Sequence, residues 1–365
     1  MNKTAFVWHE SYFWHNAGDG ALFEPAGGYI ENLGQAESPE SKRRIKNLLE
    51  RSGLIENLQV IKPASATEAD LLRFHTQAHI DNVKHLSNTN GGYCGDSTIV
   101  GRGSYEIALL AAGGAIAAVE AVVRGTVQNA YALTRPPGHH AKREEGMGYC
   151  IFNNMVIAAK YAREVLGVGK ILIVDWDAHH GNGTEDAFLS DPDVLFVSLH
   201  QDGLEPIGRG LVTDWGYGPG KGFTINIPLP VGSGDAVYQY AFEQILMPRA
   251  KAFSPELVLV SAGQDSSIFD PLARMMLSVA GYRHMTRELM KLSDGRLVCI
   301  HEGGYCPAYV PFCTHGIIEE LLGMETDVGD PFIYAMAGTG YDRLLPHQKA
   351  AVDEIEICLG GDCLV

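Results

Sequence analysis

Residues 171–183 read I-L-I-V-D-W-D-A-H-H-G-N-G. A run of β-branched and apolar side chains becomes, without a break, a cluster of ionisable ones. The run Ile171 to Val174 has no polar alternation, which is how a strand buried on both faces of a parallel sheet reads. The same grammar recurs along the chain. Ala130 to Thr134 leads into R-P-P-G-H-H, Val194 to Leu199 into H-Q-D-G, Leu257 to Ser261 into A-G-Q-D, and Arg296 to Ile300 into H-E-G-G-Y. Helical patches lie between these runs: Ser104 to Arg124, Asn154 to Leu166, Val237 to Phe253 and Gly281 to Leu292. Strand–helix alternation of this kind predicts a mainly parallel α/β sheet with helices on both faces. In such sheets ligands bind beyond the carboxyl ends of the strands, where all five polar loops fall.

Those loops carry the chemistry. Asp177 and His179 are two residues apart in chain leaving a strand, so both side chains reach one side. Asp265 holds the equivalent place after another strand. Two aspartates and one histidine with an open fourth position suit a catalytic zinc site rather than a closed structural one. His139 and His140, in a loop stiffened by two prolines, suit proton transfer near neutral pH. Tyr305, after two glycines, can bring a phenol over the site to donate to a developing oxyanion.

Taken in order, R-P-P-G-H-H, G-Y-C-I-F-N-N, D-W-D-A-H-H-G-N-G, S-L-H, S-A-G-x-D and E-G-G-Y resemble the histone deacetylase and acetylpolyamine amidohydrolase superfamily, and most of all its bacterial class II-type members. A weaker match in E-S-P-E-S-K-R-R-I extends the likeness towards the N-terminus. The resemblance implies a three-layer arginase-like fold around a roughly eight-stranded sheet. It also implies zinc-dependent removal of an acetyl or other short acyl group from an N-acylated amine. It assigns zinc to Asp177, His179 and Asp265. His140 is implied as the general base, Asp175 as the carboxylate behind His139, and Tyr305 as the oxyanion donor. Asp175, Ser198 and Leu199, with backbone of Asp177 and His179, match a K+ or Na+ site. Gly148 and Tyr149 match the acyl channel, with Leu204 or Glu205 at its lip. Asn182 stands where class I relatives carry Asp, so His140 is expected to be less basic. Gln264 stands where relatives commonly carry Phe.

Substrates are expected among acylated lysine and acylated polyamines; a glutamate at the lip would suit a polyamine. A homo-oligomer, dimer or tetramer, is implied by the resemblance. An arginase-type ureohydrolase is the first rival, but Gly181 sits where a second metal's bridging Asp would be. A binding module with a decayed site is the second, and no expected ligand is missing.

The 365 residues are read as a single catalytic domain, with no function given to the 355–365 tail. A net charge of −16 argues against nucleic acid as a partner and mildly favours cationic ones. No window of about 18 uninterrupted apolar residues exists, so no membrane span is expected. The N-terminus lacks a signal-like apolar region, and a cytoplasmic location is expected. Seven scattered cysteines without Cys-x-x-Cys argue against structural zinc and against a disulfide framework.

Overall fold

The computed structural model describes residues 3–22 and 24–359. Eight strands form one sheet: β1 (Thr4–Val7), β2 (Leu58–Ile61), β3 (Asn129–Ala132), β4 (Ile171–Asp175), β5 (Val194–Gln201), β6 (Thr224–Leu229), β7 (Leu257–Ala262) and β8 (Leu297–His301). Their order is β6-β5-β4-β7-β8-β3-β1-β2, and every pairing is parallel. After β4 the chain steps outward to β5 and β6, then returns to β7 on the other side of β4. That reversal opens a crevice beyond the carboxyl ends of β4 and β7, in register from Ile171 opposite Leu257 to Asp175 opposite Ser261.

The unbroken apolar runs are explained by two cores. In β4, Leu172 and Val174 pack into one hydrophobic cluster, and Ile171 and Ile173 into another across the sheet. Period-two alternation thus feeds both faces, leaving no polar face to break the run. The first face is covered by α1 (Glu40–Arg51), α4 (Val279–Leu289) and α5 (Val310–Leu322), the second by α2 (Ser104–Val123) and α3 (Asn154–Glu164). By length and composition α2 would cross a bilayer, yet 67% of its apolar window is buried inside the protein.

Some expectations need adjustment. The helix expected over Val237 to Phe253 is three segments, with a π turn over Phe242–Leu246 just before Pro248, whose missing N–H and ring bulk do not fit a regular helical turn. Strands β1, β2 and β6 lay outside the five expected runs. Residues 355–357 of the tail end the helix Pro346–Ile357, where Ile355 is buried and Glu356 meets Arg249 at 2.7 Å. Cys358 is disulfide-bonded, although the cysteine spacing argues against a disulfide framework. Residues 360–365 lie outside the described chain.

Candidate active site

Four adjacent strands, β4, β7, β8 and β3, deliver the reactive groups from their carboxyl ends. Asp177 and His179 follow β4, Asp265 follows β7, Glu302 and Tyr305 follow β8, and His139 and His140 follow β3.

His179 Nδ1 lies 3.1 Å from Asp177 Oδ1 and 2.9 Å from Asp265 Oδ2. Donor atoms of all three residues lie within 4.8 Å of one another. Backbone N–H groups hold the carboxylates from behind: Gly303 donates to Asp177 Oδ2 at 2.9 Å, and Ala178 to Asp265 Oδ1 at 2.8 Å. Both aspartates are fully buried. Burial and then the neighbouring Asp177 charge push the Asp265 carboxyl well above the ordinary range. Two acids in so dry a place need a cation between them or a shared proton. The donor set of two carboxylates and an imidazole fits zinc. Space is reserved for it: a Cβ on Gly303 would sit 2.4 Å from Asp265 Oδ2 and 2.7 Å from Asp177 Oδ2.

The tandem histidines stack with ring centroids 4.0 Å apart, but their partners differ. His139 Nδ1 faces Asp175 Oδ2 at 3.0 Å, and His140 Nδ1 faces Asn182 Oδ1 at 2.9 Å. Burial pulls His139 down, but the charges of Asp177 and Asp175 outweigh it and raise its pKa to about 10. His140, buried beside His139 and His179, is held well below the usual imidazole range. Environment thus pushes two identical side chains in opposite directions.

Glu302 supports this loop. Its Oε2 accepts from the backbone of Gly138 at 2.6 Å and His139 at 3.1 Å, and burial pushes its pKa up to about 7. His139, Cys150 and Glu302 also converge, but His139 is already engaged by Asp175.

Tyr149 and Tyr305 meet edge to face, with centroids 6.0 Å apart, and Tyr305 lies 6.3 Å from the His179 ring. Gly148 and Tyr149 both take positive φ, 52° and 68°, in a tight turn closed by Met147 and Cys150, the pattern of a mirror-image hairpin turn. Gly148 also admits His140, whose Cδ2 would lie 2.5 Å from a Cβ there. Asp270, which the sequence reading passed over, accepts from the Tyr305 N–H at 2.8 Å and the Leu272 N–H at 2.9 Å, tying the β7 loop to the β8 loop.

At the implied monovalent-cation position, Asp175 is in register with Ser198 on β5, and Leu199 is the next residue. Ser198 Oγ lies 3.2 Å from His180 Nδ1 and 2.9 Å from His200 Nδ1. The lip residues are less engaged with the site. Leu204 packs against the larger core, and exposed Glu205 accepts from the Ile207 N–H of its own turn at 3.0 Å. Gln264 points into the core, contacting Tyr131, Ala262 and Thr314.

The profile of the histone deacetylase domain matches residues 35–321. The chain is 45% identical over 336 residues to a histone deacetylase-like amidohydrolase of Pseudomonas aeruginosa, covering 90% of this chain and 88% of that one. It is 38% identical to a probable deacetylase of Archaeoglobus fulgidus, covering 81% and 85% of the two chains. Among solved structures, the crystal structure of the HDA15 HD domain superposes with a TM-score of 0.87 at 31% identity, over 98% of this chain and 94% of that chain. With its fold, its ordered motifs and these relatives in agreement, the chain belongs to the histone deacetylase family.

Proposed function

We propose that the protein is a zinc-dependent amidohydrolase that removes acetyl or another short acyl group from acylated lysine. The observation that carries this reading is the convergence of Asp177, His179 and Asp265 on one point, with the His140 ring 6.0 Å from that of His179. Zinc held there would act as a Lewis acid toward the amide carbonyl and lower the pKa of a coordinated water.

The remaining chemistry belongs to the chain. Asn182 Oδ1 accepts from His140 Nδ1–H, which leaves Nε2 as the proton acceptor for the attacking water. Tyr305 donates its O–H to the oxyanion that develops on the carbonyl. The C–N bond then breaks, and the histidine pair returns the proton to the leaving amine, giving a carboxylate and a free amine. Tyr149 and Tyr305, in edge-to-face contact beside His179, would offer apolar ring surface to a lysine stem. Asp175, Ser198 and Leu199 would hold a K+ or Na+ behind β4 and steady the backbone that carries Asp177 and His179.

Acylated lysine is preferred over acylated polyamine because the matching profile is that of the histone deacetylase domain and the Pseudomonas aeruginosa relative is named a histone deacetylase-like amidohydrolase. The test is zinc stoichiometry in purified protein together with kcat/KM for acetyl-lysine peptides, acetylputrescine and acetylspermidine. Turnover of the peptides, with about 100-fold or more preference over both polyamines, is expected, a difference of ~2.7 kcal/mol. Metal-free protein that still turns over, or a polyamine preference, overturns the proposal.

A further inference from the structure

Lys42 is an unusual residue to find where it is. Its side chain is 1% exposed, in the first turn of α1, among core residues. Burying an ammonium costs several kcal/mol unless its donors are used. One carboxylate accounts for it: Glu37 Oε1 lies 3.3 Å from Nζ. That carboxylate is already gripped by Arg135, with Nε at 2.9 Å from Oε1 and Nη2 at 2.8 Å from Oε2. Arg135 has its other donors on the backbone oxygens of Tyr12, His15 and Glu37. Glu37 is thus shared between two cations, and Lys42 Nζ has no well-formed hydrogen bond.

What Lys42 does face is the aromatic ring of Tyr305, whose centroid lies 5.8 Å from Nζ. Arg135 repels the ammonium, Asp265 attracts it more weakly from the metal side, and His301 is a further titratable neighbour. A desolvated ammonium at this distance from a phenol ring is attracted to the ring and draws electron density from it. Tyr305 is held at its backbone by Asp270, but its O–H donates to no group among the described residues in this structure. The ring therefore needs something other than a hydrogen bond to hold it over the site.

We propose that Lys42 is a positioning residue for Tyr305: the ammonium, held by Glu37, fixes the phenol ring over the site and polarises its O–H toward the oxyanion. The inference rests on the deacylase reading above. It predicts a cost on turnover rather than on substrate binding, because the O–H acts on charge that appears only as the carbonyl is attacked.

The experiment compares Lys42→Met, Lys42→Gln and Lys42→Arg in the wild-type and Tyr305→Phe backgrounds, using full-length protein loaded with zinc. Loss of the charge is expected to lower kcat about tenfold, equivalent to ~1.4 kcal/mol, with KM nearly unchanged. Arginine should restore most of the rate. In the Tyr305→Phe background the same substitutions should cost almost nothing, because the group they act on is gone. Equal losses in both backgrounds, or Lys42→Arg as impaired as Lys42→Gln, overturns the proposal. A second readout needs no turnover: the carbon-13 resonance of labelled Tyr305 Cζ, assigned by its absence in Tyr305→Phe, should shift in Lys42→Gln and return in Lys42→Arg. If the wild type lacks deacylase activity, the functional reading fails while this resonance still decides the Lys42–Tyr305 contact. An unmoved resonance rejects it.

Discussion

His140 Nδ1 lies 2.9 Å from Asn182 Oδ1, so the amide oxygen fixes the tautomer and leaves Nε2 free to accept a proton. The neighbouring His139 has a carboxylate, Asp175, in the matching place at 3.0 Å. The difference between amide and carboxylate is where the pH behaviour of the site can be tested.

Asn182→Asp should convert His140 to the same kind of pair. A carboxylate stabilises imidazolium, so the low imidazole pKa imposed by burial should rise. A base works only when neutral, so the acid limb of the kcat/KM profile should move to higher pH, by about 1–3 units. An acid limb that stays where it was would remove His140 from the role of base.

Stripping the metal should cost stability as well as activity. Asp177 and Asp265 are left as buried, mutually repelling acids, with Asp265 pushed above its usual range. Restoring zinc at about 1,000 times its dissociation constant should stabilise the fold by ~4 kcal/mol. Asp265→Asn should bind no stoichiometric zinc and show no such response in denaturant melts. A zinc response that survives in Asp265→Asn would place the metal elsewhere.

Gly303→Ala is a small change with a specific target. The added methyl would lie 2.4 Å from Asp265 Oδ2 and 2.7 Å from Asp177 Oδ2. Zinc content and kcat should fall together while the far-ultraviolet circular dichroism stays that of the wild type. Full zinc occupancy in this variant would show that the carboxylates do not need that space.

Glu37→Gln tests the buried Arg135–Glu37–Lys42 group. Removing the one anion leaves two buried cations uncompensated, and unfolding free energy at neutral pH should fall by ~3–5 kcal/mol. Burial raises the Glu37 pKa, but Arg135 and Lys42 outweigh it and hold it below the ordinary glutamate value. A depressed carboxylate contributes stability above its unfolded pKa and loses it as pH falls through its folded pKa. The gap between wild type and Glu37→Gln should therefore narrow in acid. A gap that is constant with pH would show that the Glu37 charge is not the source.

The sheet was legible where strands are central and apolar on both faces. The run Ile171 to Val174 is strand β4 with Asp175 added, and Leu257 to Ser261 is β7 with Ala262 added. The missed strands have local reasons. β2 is an edge strand whose residues are partly exposed, and β6 carries Pro228, which an edge tolerates and an interior ladder does not. Asp177, His179, Asp265, His139, His140 and Tyr305 were legible because each follows a strand in a distinctive polar loop. Asp270, Glu37 and Lys42 were not singled out, because their roles depend on contacts the chain makes far from them in sequence. Glu37 reaches Arg135 across 98 positions, and only the E-S-P-E-S-K-R-R-I stretch hinted at its neighbourhood.

Strand β8 is the last of the eight to be synthesised, yet it is inserted between β7 and β3 in the middle of the sheet. Until residues 297–301 leave the ribosome, the two halves have no ladder joining them, and each presents a naked parallel edge. A chain that terminates early is therefore a pair of sticky half-sheets rather than a weakened enzyme, exposed to edge-to-edge aggregation.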